Sequence, residues 1–597
     1  GGYFIIKGSE KTLIAQKGHV SNRIVSYKNK VSTAVAVKSE HKYRLYVTTI
    51  KHQAKRPLTV TFPRLENEMP LFTLVIALGV TYEDCKRVFT PEELVFLSPS
   101  LTNLPTDVEE ARRRIHIRQV YDVEKSEEKR LDIALNIMLL PHVATDGAHL
   151  IKGIYLLLMV KELIAVDTGT MQPTDRDSVI NQRVHMSYTL LSKLFLQLLI
   201  QWRDHISKAL NMALSRGKNV SDRRINKIVS DNTSITDGLS FALATGNWNT
   251  VYVDRGNLKG VAQALERASY VATVSQLRKV SSSVDPDMKN PKPRLLPGTH
   301  YGRYCPAETP EGRTVGLETT LAISAHVSLE TSATPILDIV QQYINEITTQ
   351  NIHVGRAVFV NGVYIGNTQV PERLLQTIRG ARRSGQFAKD ISISQNNILQ
   401  QIHISTTFGR VTRPLLIVEN GRINKITNSW YEMISNGTIE YLDAEEENTC
   451  YVAFFPKDIT IEHTHCEISN TFLNGINAAC IPFSDHNPAP RNTFASAMGK
   501  QPMGVYSTSY QHRVDTTSNI LYYPQRPLVT TKIYDLIGME ECPNGMNAIV
   551  AIMPFHGYGQ EDSIIVKQEA LDRGMGRADR YKTINDHIGE NSREVSE

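Results

Sequence analysis

Two adjacent carboxylates near the end of the sequence are its strongest candidate for metal chemistry. Glu561 and Asp562 stand in GYGQEDSIIV, directly after a β-rich run and the glycine turn 557–559. Glycine lets the backbone approach a ligand closely, and carboxylate oxygens suit Mg²⁺. Because adjacent residues on an extended segment point to opposite faces, we expect one carboxylate to bind metal directly and the other through water. An ordinary exposed acidic pair is the alternative.

The segment 483–506, FSDHNPAPRNTFASAMGKQPMGVY, is dense in side chains that could bind phosphate. Its hydrogen-bonding residues, which stand among prolines and glycines, are His486, Asn487, Arg491, Asn492, Lys500 and Gln501. A guanidinium can donate two parallel hydrogen bonds to one phosphate, whereas an ammonium acts as a point charge. Arg491 and Lys500 could therefore contact phosphates. A surface loop with helix caps is the alternative.

A third candidate is the proline-rich loop 281–302, SSSVDPDMKNPKPRLLPGTHYG, in which regular structure is not expected. Positive charge concentrates in this loop and just after it, at Lys289, Lys292, Arg294 and Arg303. Such a loop could lie against nucleic acid, and a solvated connector is the alternative. The same loop contains Asp285 and Asp287, but two carboxylates without a scaffold do not predict a metal site.

Bulk composition narrows the class of protein without deciding its function. A chain of 597 residues is long enough for roughly three to five domains. Its net charge of +5 is too small to indicate a polyanionic partner. Six scattered cysteines predict free thiols, and no apolar run reaches the roughly 20 residues of a membrane helix. His463, His465 and Cys466 suit strand packing better than a tetrahedral zinc site.

The first half of the chain is predicted to contain both strands and helices, which would help to position these candidate residues. Residues 3–16 predict a hairpin around Gly8-Ser9, and residues 28–174 predict an independent α+β unit. Helical spacing of leucines predicts a packing helix over 187–216. A second helical stretch is predicted over 258–280.

The second half is predicted to be richer in strands. Strands are expected within 336–470, together with one basic helix whose arginines would form a solvated face. These arginines are Arg373, Arg379, Arg382 and Arg383. The run NAIVAIMPF predicts a further strand over 547–555, ahead of the acidic pair.

Three long segments resemble the second-largest subunit family of eukaryotic, archaeal and viral multisubunit RNA polymerases. They are THYGRYCPAETPEG (299–312), FSDHNPAPRNTFASAMGKQPMGVY (483–506) and GYGQEDSIIV (557–566). Shorter matches follow in the same order: GGYFIIKGSEKTLIAQ at the start, TDRDSVINQRV (174–184), RVTRPLLIVENG (410–421) and NILYYPQRPLVTTK (519–532). The resemblance covers nearly the whole chain and is thin between about 28 and 173.

The resemblance implies a multidomain α+β fold of mixed β-rich domains, with a helical protrusion and part of a double-psi β-barrel. The implied units are the protrusion (1–27 and 175–262), the lobe (28–174), the fork (263–335), external region 1 (336–417), external region 2 (418–470), and the first part of the hybrid-binding region with the start of the wall (471–597). Family members continue into a clamp with a Cys₄ zinc site, so we expect a C-terminally truncated member without zinc. A split gene, a processed piece and a partial sequence all fit.

The resemblance also implies DNA-templated nucleotidyl transfer from ribonucleoside triphosphates, in a site shared with the largest subunit. Glu561 and Asp562 would lie near the second, nucleotide-borne Mg²⁺, and Arg491 would face the triphosphate. Lys500 and Gln501 would lie near the 3′ end of the transcript. The first Mg²⁺ would be held by the largest subunit, so this chain alone should be inactive. The expected partners are the other subunits, template DNA and transcript, with no membrane.

Some departures and rival interpretations stay open. Phe494 stands where a tyrosine is often found in the family, so a hydroxyl contact would be lost. A non-catalytic nucleic-acid-binding accessory protein derived from a polymerase half is one rival, and a dinucleotide-binding enzyme using Gly557 and Gly559 is a weaker one. The expected location is the nucleus, or the cytoplasm or a viral factory for a viral lineage.

Overall fold

A computed structural model of the chain describes residues 2–41, 44–54, 56–118, 126–145, 147–216, 221–249, 257–345, 354–424 and 426–584. These residues form seven sheets with helices between them. Their buried apolar side chains form several separate cores. The prediction of a multidomain α+β protein is confirmed, whereas the part of a double-psi barrel stays a prediction.

The N-terminal hairpin forms as predicted, with the turn one residue earlier than expected. Strand Tyr3–Ile6 pairs antiparallel with strand Ser9–Leu13. The turn residues Lys7 and Gly8 both have positive φ, 48° and 78°, as a tight hairpin turn requires. Strand Ala262–Ala264 adds to the second strand, so the hairpin is joined to a distant part of the chain.

A second sheet gathers four strands from distant parts of the sequence. Its order is Glu318–Thr320, Lys279–Ser282, Ala15–His19 and Gln182–His185. The pair formed by Lys279–Ser282 and Ala15–His19 is parallel, and the other two pairs are antiparallel. This sheet fixes the position of the segment 299–320 relative to the N-terminus.

The predicted α+β unit has a five-stranded antiparallel sheet covered by helices. The strands are Ile24–Lys28, Ser32–His41, Arg44–Gln53, Thr59–Thr61 and Met69–Pro70. The helices are Leu71–Ala77, Tyr82–Val88, Pro91–Leu97, Val108–Arg113, Glu127–Ile133 and His149–Asp167. Burial alternates along Ser32–His41, as expected for a sheet with one face on the core. The helix His149–Asp167 is buried on nearly every side, so it forms the centre of this core.

The predicted packing helix is confirmed as Ser187–Ser215. Leu190, Leu194 and Leu198 point into a core with Trp248, whose indole N–H donates to the carbonyl of Leu190. Helices Asp222–Ser230 and Ser234–Thr245 follow, and short strands Trp248–Asn249 and Asn257–Leu258 pair with each other. No helix within the described ranges is both long and apolar enough to span a bilayer.

The helical prediction for 258–280 is largely wrong. Helix is confined to Tyr270–Leu277, between strands Ala262–Ala264 and Lys279–Ser282. Ser269 starts this helix because its side chain accepts the backbone N–H of Ala272. Pairing with distant strands overrides the local helical pattern on either side.

Two further sheets follow along the chain. The first has the order Val363–Thr368, Arg356–Val360, Gln401–Ser405 and Ser392–Asn396, with helices Thr334–Val340 and Pro371–Arg383 packed on it. The second contains His326–Val327, Val411–Glu419, Arg422–Ile423, Ile439–Asp443, Val452–Ala453 and His465–Cys466, with helices Trp430–Ser435 and Ala444–Glu447. All six cysteines of the chain are unpaired, as predicted.

The basic helix Pro371–Arg383 is not the solvated face that was predicted. Arg382 is 6% exposed, and its guanidinium donates to the carboxylates of Glu440 and Glu446. Arg379 also pairs with Glu446, and Arg383 with Glu440. Arg373 remains exposed. The error arises because the carboxylates lie about sixty residues further along the chain, beyond the reach of a local pattern.

The residues 443–447, which we call the acidic segment, join several parts of the protein through arginines. The pairs are Asp443 with Arg410 (3.0 Å), Glu445 with Arg23 (2.6 Å), Glu446 with Arg382 (2.7 Å), and Glu447 with Arg303 and Arg413 (2.5 Å each). Asp443 also caps the helix Ala444–Glu447 by accepting two backbone N–H groups. The acidic segment therefore pairs with five arginines from four different stretches of sequence at one junction.

The C-terminal part has little regular structure. Its elements are helices Ile476–Ala479, Ala489–Met498, Lys532–Leu536 and Gln568–Asp572, and the antiparallel strands Thr517–Leu521 and Ala578–Lys582. The predicted strand over 547–555 is wrong: this run has no strand pairing, and Ile549 and Ile552 are fully exposed. A strand needs a neighbour for its backbone groups, and the described residues supply none here.

Candidate functional site

Arg491 lies in the first turn of the helix Ala489–Met498, with its side chain exposed. Its guanidinium stands over the ring of Phe494 at 5.2 Å and is in no ion pair with the described residues. A cation in the first turn opposes the helix dipole, so it does not stabilise this helix. Asn492 fixes the loop before the helix by donating to the carbonyl of Ser484 at 2.7 Å. Arg491 is thus held on an ordered element with its charge free for an anion.

Lys500 is anchored to a different motif of the sequence. Its ammonium lies 3.1 Å from Oε1 of Glu308, a carboxylate that is only 2% exposed. The hydroxyl of Ser275 donates to the same oxygen, and the hydroxyl of Ser269 donates to the carbonyl of Lys500 at 3.3 Å. The ammonium remains 28% exposed at the side-chain level. The segments 299–312 and 483–506 therefore meet at one ion pair.

Glu308 is a site residue that the sequence reasoning missed. Its second oxygen, Oε2, is buried and has no hydrogen-bond partner in the described part of the chain. The signal was present, because Glu308 lies inside the motif AETPEG that carried part of the resemblance. The sequence does not reveal the contact of Glu308 with Lys500, because nearly two hundred residues separate the two positions.

A cavity of about 290 Å³ opens beside this ion pair. Gln501 and Lys500 line it together with residues of the segments 263–279, 308–310 and 318–320. Lys279 and Glu318 form a second ion pair in its wall, at 2.5 Å. The cavity thus places two ammonium groups next to the helix that carries Arg491.

Glu561 and Asp562 lie on an exposed turn rather than on an extended segment. Both have left-handed backbone, with φ of 55° and 61°, so the prediction of opposite-facing side chains on a strand edge is wrong. The hydroxyl of Ser563 closes the turn by donating to the carbonyl of Tyr558 at 2.7 Å. Neither carboxylate has an ion pair or hydrogen bond with the described residues, and Arg491 and Lys500 are among these.

The donor set at this turn suits a shared hard cation. Two exposed carboxylates supply oxygen ligands, and Mg²⁺ is commonly held by one or two carboxylates plus substrate phosphates and waters. Within the described residues no group of three or more His, Cys, Asp or Glu side chains could hold a metal ion by itself. As two carboxylates, Glu561 and Asp562 could supply only part of the ligand set of such an ion.

The basic residues of the proline-rich loop 281–302, and Arg303 just after it, differ in exposure. Lys292 is exposed, whereas the guanidinium of Arg294 donates to the carbonyls of Pro286, Arg313 and Val315. Arg303 is 2% exposed and donates to the carbonyls of Val411 and Leu442 and to Glu447. Burial and these bonds conflict with the expectation that Arg303 contacts nucleic acid. Its place is at the acidic segment.

His463, His465 and Cys466 are packed against neighbouring side chains. His465 is 3% exposed and lies 3.6 Å from Glu440, while Cys466 is fully buried in the same strand. The ring of His463 stacks on Tyr451 at 4.4 Å, and its Nδ1 contacts the hydroxyl of Thr460 at 2.8 Å. These contacts give the cluster a structural role.

Comparison with known proteins gives five family-model matches in chain order. They are RNA polymerase Rpb2 domain 2 (residues 12–185), domain 3 (263–327), domain 4 (358–419), domain 5 (430–471) and domain 6 (477–597). Together they cover most of the sequence. The three long segments that carried the resemblance lie entirely within domains 3 and 6.

Curated relatives match over almost the whole chain. DNA-directed RNA polymerase II subunit RPB2 of Encephalitozoon cuniculi is 35% identical, over 98% of this chain and 55% of its own length. The RNA polymerase II subunit 2 of Arabidopsis thaliana and the archaeal subunit Rpo2 of Saccharolobus solfataricus are each 33% identical, over 98% of this chain and 54% of their own length. The chain thus spans about half the length of the curated relatives it matches.

Proposed function

The chain belongs to the family of second-largest subunits of multisubunit RNA polymerases, and from this premise we propose that it forms the nucleotide- and hybrid-facing half of a DNA-directed RNA polymerase active site. The observation that carries the proposal is the exposed guanidinium of Arg491, which is in no ion pair with the described residues, at the start of the helix Ala489–Met498, together with the anchored ammonium of Lys500 just after the end of that helix. A cationic side chain that is held on an ordered element, or by a buried partner, and still exposes its charge is suited to binding phosphates. The proposed reaction is nucleotidyl transfer from ribonucleoside triphosphates, performed only together with the largest subunit.

Each residue has a distinct proposed role. Arg491 binds the triphosphate, where its fork can hold two oxygens at once. Lys500 and Gln501 lie along the transcript near its 3′ end, and Glu308 fixes the direction of the Lys500 ammonium. Lys292 contacts the nucleic-acid backbone. Arg294 orders the loop that carries Lys292, because its guanidinium already donates hydrogen bonds to three carbonyls.

Glu561 and Asp562 are the proposed ligands of a shared Mg²⁺, which they bind partly through water. When bound, that ion would neutralise charge on the transferred phosphates. Because these carboxylates have no competing partner in the described structure, they are available without breaking an existing contact. The proposed partners are the other subunits, template DNA and transcript, and the first metal site is proposed to lie in the largest subunit. We also propose the division of the chain into protrusion, lobe, fork, external and hybrid-binding regions.

The test of this function is Arg491→Ala in the full-length subunit, reconstituted with its largest-subunit partner. We expect a higher apparent KM for nucleotides or a lower kcat, with template binding nearly unchanged. Arg373→Ala is the matched control, because Arg373 is another exposed helical arginine without an ion pair in the described residues. Equal loss of nucleotide use and template binding would instead favour the non-catalytic nucleic-acid-binding accessory protein.

A further inference from the structure

A cavity of about 520 Å³ lies at the junction of three parts of the chain, apart from the candidate site. Its walls come from residues 18–24, from residues 171–185 and from residues 359–408, with contributions from the helix His149–Asp167 and the acidic segment. None of its lining residues belongs to the candidate functional site. The volume lies within the roughly 300–1,000 Å³ typical of small-molecule sites.

Arg183 is the unusual residue in this cavity. Its guanidinium donates to the carbonyls of Ile180 and Gln182, at 3.0 and 2.8 Å, through one nitrogen only. It forms no ion pair with the described residues, whereas Arg23, which also lines the cavity, binds Glu445 through two hydrogen bonds. The remaining Arg183 donors have no acceptor among the described residues.

The charges around Arg183 do not balance. Arg23 and Arg410 are its cationic neighbours, and the nearby carboxylates Glu445 and Asp443 are each already paired with one of them. Burial lowers the pKa of Arg183 to about 9, and the two neighbouring arginines act in the same direction. A half-buried cation whose nearby carboxylates are already paired with other arginines is unfavourable, so the site favours an added anion.

Other carboxylates in the wall oppose an anion only weakly. Glu40 lies 3.4 Å from Lys193, which also lines the cavity. Burial raises the pKa of Glu162 to about 7, so a large fraction of it is neutral near neutral pH. Asp175 lies at the exposed rim.

Asn181 supplies a second unsatisfied group. Its amide nitrogen donates to the carbonyl of Asp175 at 2.7 Å, which fixes the orientation of the side chain. Its oxygen Oδ1 is buried and has no hydrogen-bond partner within the described ranges, although the residue lines the same cavity. An acceptor in this position would be satisfied by a hydroxyl or N–H group.

We propose that this junction cavity binds a small organic oxyanion, a phosphate or carboxylate that also carries a hydroxyl group. The free donors of Arg183 bind the oxyanion, and Oδ1 of Asn181 accepts from the hydroxyl. Because the walls come from separate parts of the chain, the bound molecule would tie these parts together. The proposal is independent of the polymerase function, and the failure of either leaves the other standing.

Isothermal titration calorimetry of the whole chain tests this site, with inorganic phosphate, acetate and glycerol 3-phosphate as probes in chloride buffers of matched ionic strength. We expect saturable binding, tightest for glycerol 3-phosphate, and about tenfold weaker binding in Arg183→Gln because charge-assisted hydrogen bonds are lost. Asn181→Ala should weaken glycerol 3-phosphate but not inorganic phosphate. Tighter binding of acetate than of phosphate would identify a carboxylate as the preferred ligand.

Arg373→Gln is the control, since it removes an exposed arginine that does not line the cavity. Circular dichroism checks the fold of each variant. If Arg183→Gln does not fold, Arg183→Lys keeps the charge, loses the fork and should still bind more weakly than the unmodified chain. The proposal is overturned by the absence of saturable binding to the unmodified chain, or by affinity that the folded Arg183 variant retains in full.

Discussion

Two acidic stretches of this chain contain the same residue types in opposite surroundings. In the acidic segment 443–447 each of the four carboxylates pairs with at least one arginine, and Glu446 is 1% exposed. At Glu561 and Asp562 the carboxylates are exposed and have no partner in the described structure. Carboxylates thus join domains in the first region and remain available to a ligand in the second. The difference arises because arginines from other parts of the sequence pair with the acidic segment and none of the described residues pairs with Glu561 or Asp562.

The largest expected effect is the loss of Glu446. In Glu446→Ala the guanidinium of Arg382 keeps Glu440 but loses its two bonds to Glu446, and Arg379 loses its partner. Removing one partner of a buried ion pair typically costs about 3–5 kcal/mol. We therefore expect a clearly lower denaturant midpoint, measured by urea unfolding followed by circular dichroism.

The control for this prediction is Glu561→Ala, which removes an exposed carboxylate of the same type. Surface changes of this kind usually alter stability by no more than about 0.5 kcal/mol. If both variants lost similar stability, the distinction between the two acidic stretches would have no energetic basis.

Glu162 is an intermediate case, a carboxylate that is buried but in no ion pair among the described residues. Burial raises its pKa to about 7, against the opposing influence of Ser26 and Arg23. A raised pKa means that its contribution to stability is present below about pH 4.5 and is lost as pH rises through about 7. The rise from 4.5 to about 7 corresponds to at most about 3.5 kcal/mol.

Glu162→Gln should remove this part of the pH dependence. Unfolding measured from pH 4.5 to 8 should show the variant gaining stability relative to the unmodified chain as pH rises. A constant difference between the two across this range would contradict the assignment.

Asp443 should show the opposite pH dependence. Burial acts to raise its pKa, but Arg410 and the backbone N–H of Glu446 outweigh burial and hold the pKa at about 2. Its stabilisation is therefore present above about pH 4 and is lost as pH falls towards 2, and is worth about 2 kcal/mol. The advantage of the unmodified chain over Asp443→Asn should shrink over that range, as measured by thermal unfolding. An advantage that grows on acidification would refute this.

Local pattern was sufficient where the structure itself is local. The N-terminal hairpin and the leucine helix Ser187–Ser215 were predictable, because turn residues and helical spacing act within a few residues. Among the proposed site residues, Arg491 and Lys500 were found from the density of polar groups in their motif.

Long-range pairing explains the failures. Arg303 was predicted to contact nucleic acid and Arg382 to be solvated, because nothing in their neighbourhood in the sequence reveals Glu447 or Glu446. The run 547–555 has strand composition without a pairing strand among the described residues. Glu308 was missed because its role depends on Lys500. The errors at Arg303, Arg382 and Glu308 concern partners far away in sequence, which composition and periodicity do not encode.

The smallest stability effect and the sharpest functional one are expected at the exposed acidic turn. Replacing both Glu561 and Asp562 by Ala breaks no contact in the described structure, so the unfolding midpoint of the chain should change little. In the reconstituted full-length complex the same double variant should slow elongation most at limiting Mg²⁺, and added Mg²⁺ should partly restore it, because the lost groups are proposed metal ligands. Glu541→Ala, another exposed carboxylate, is the control. An elongation rate with unchanged Mg²⁺ dependence would remove these carboxylates from the metal site and make the turn an ordinary surface feature.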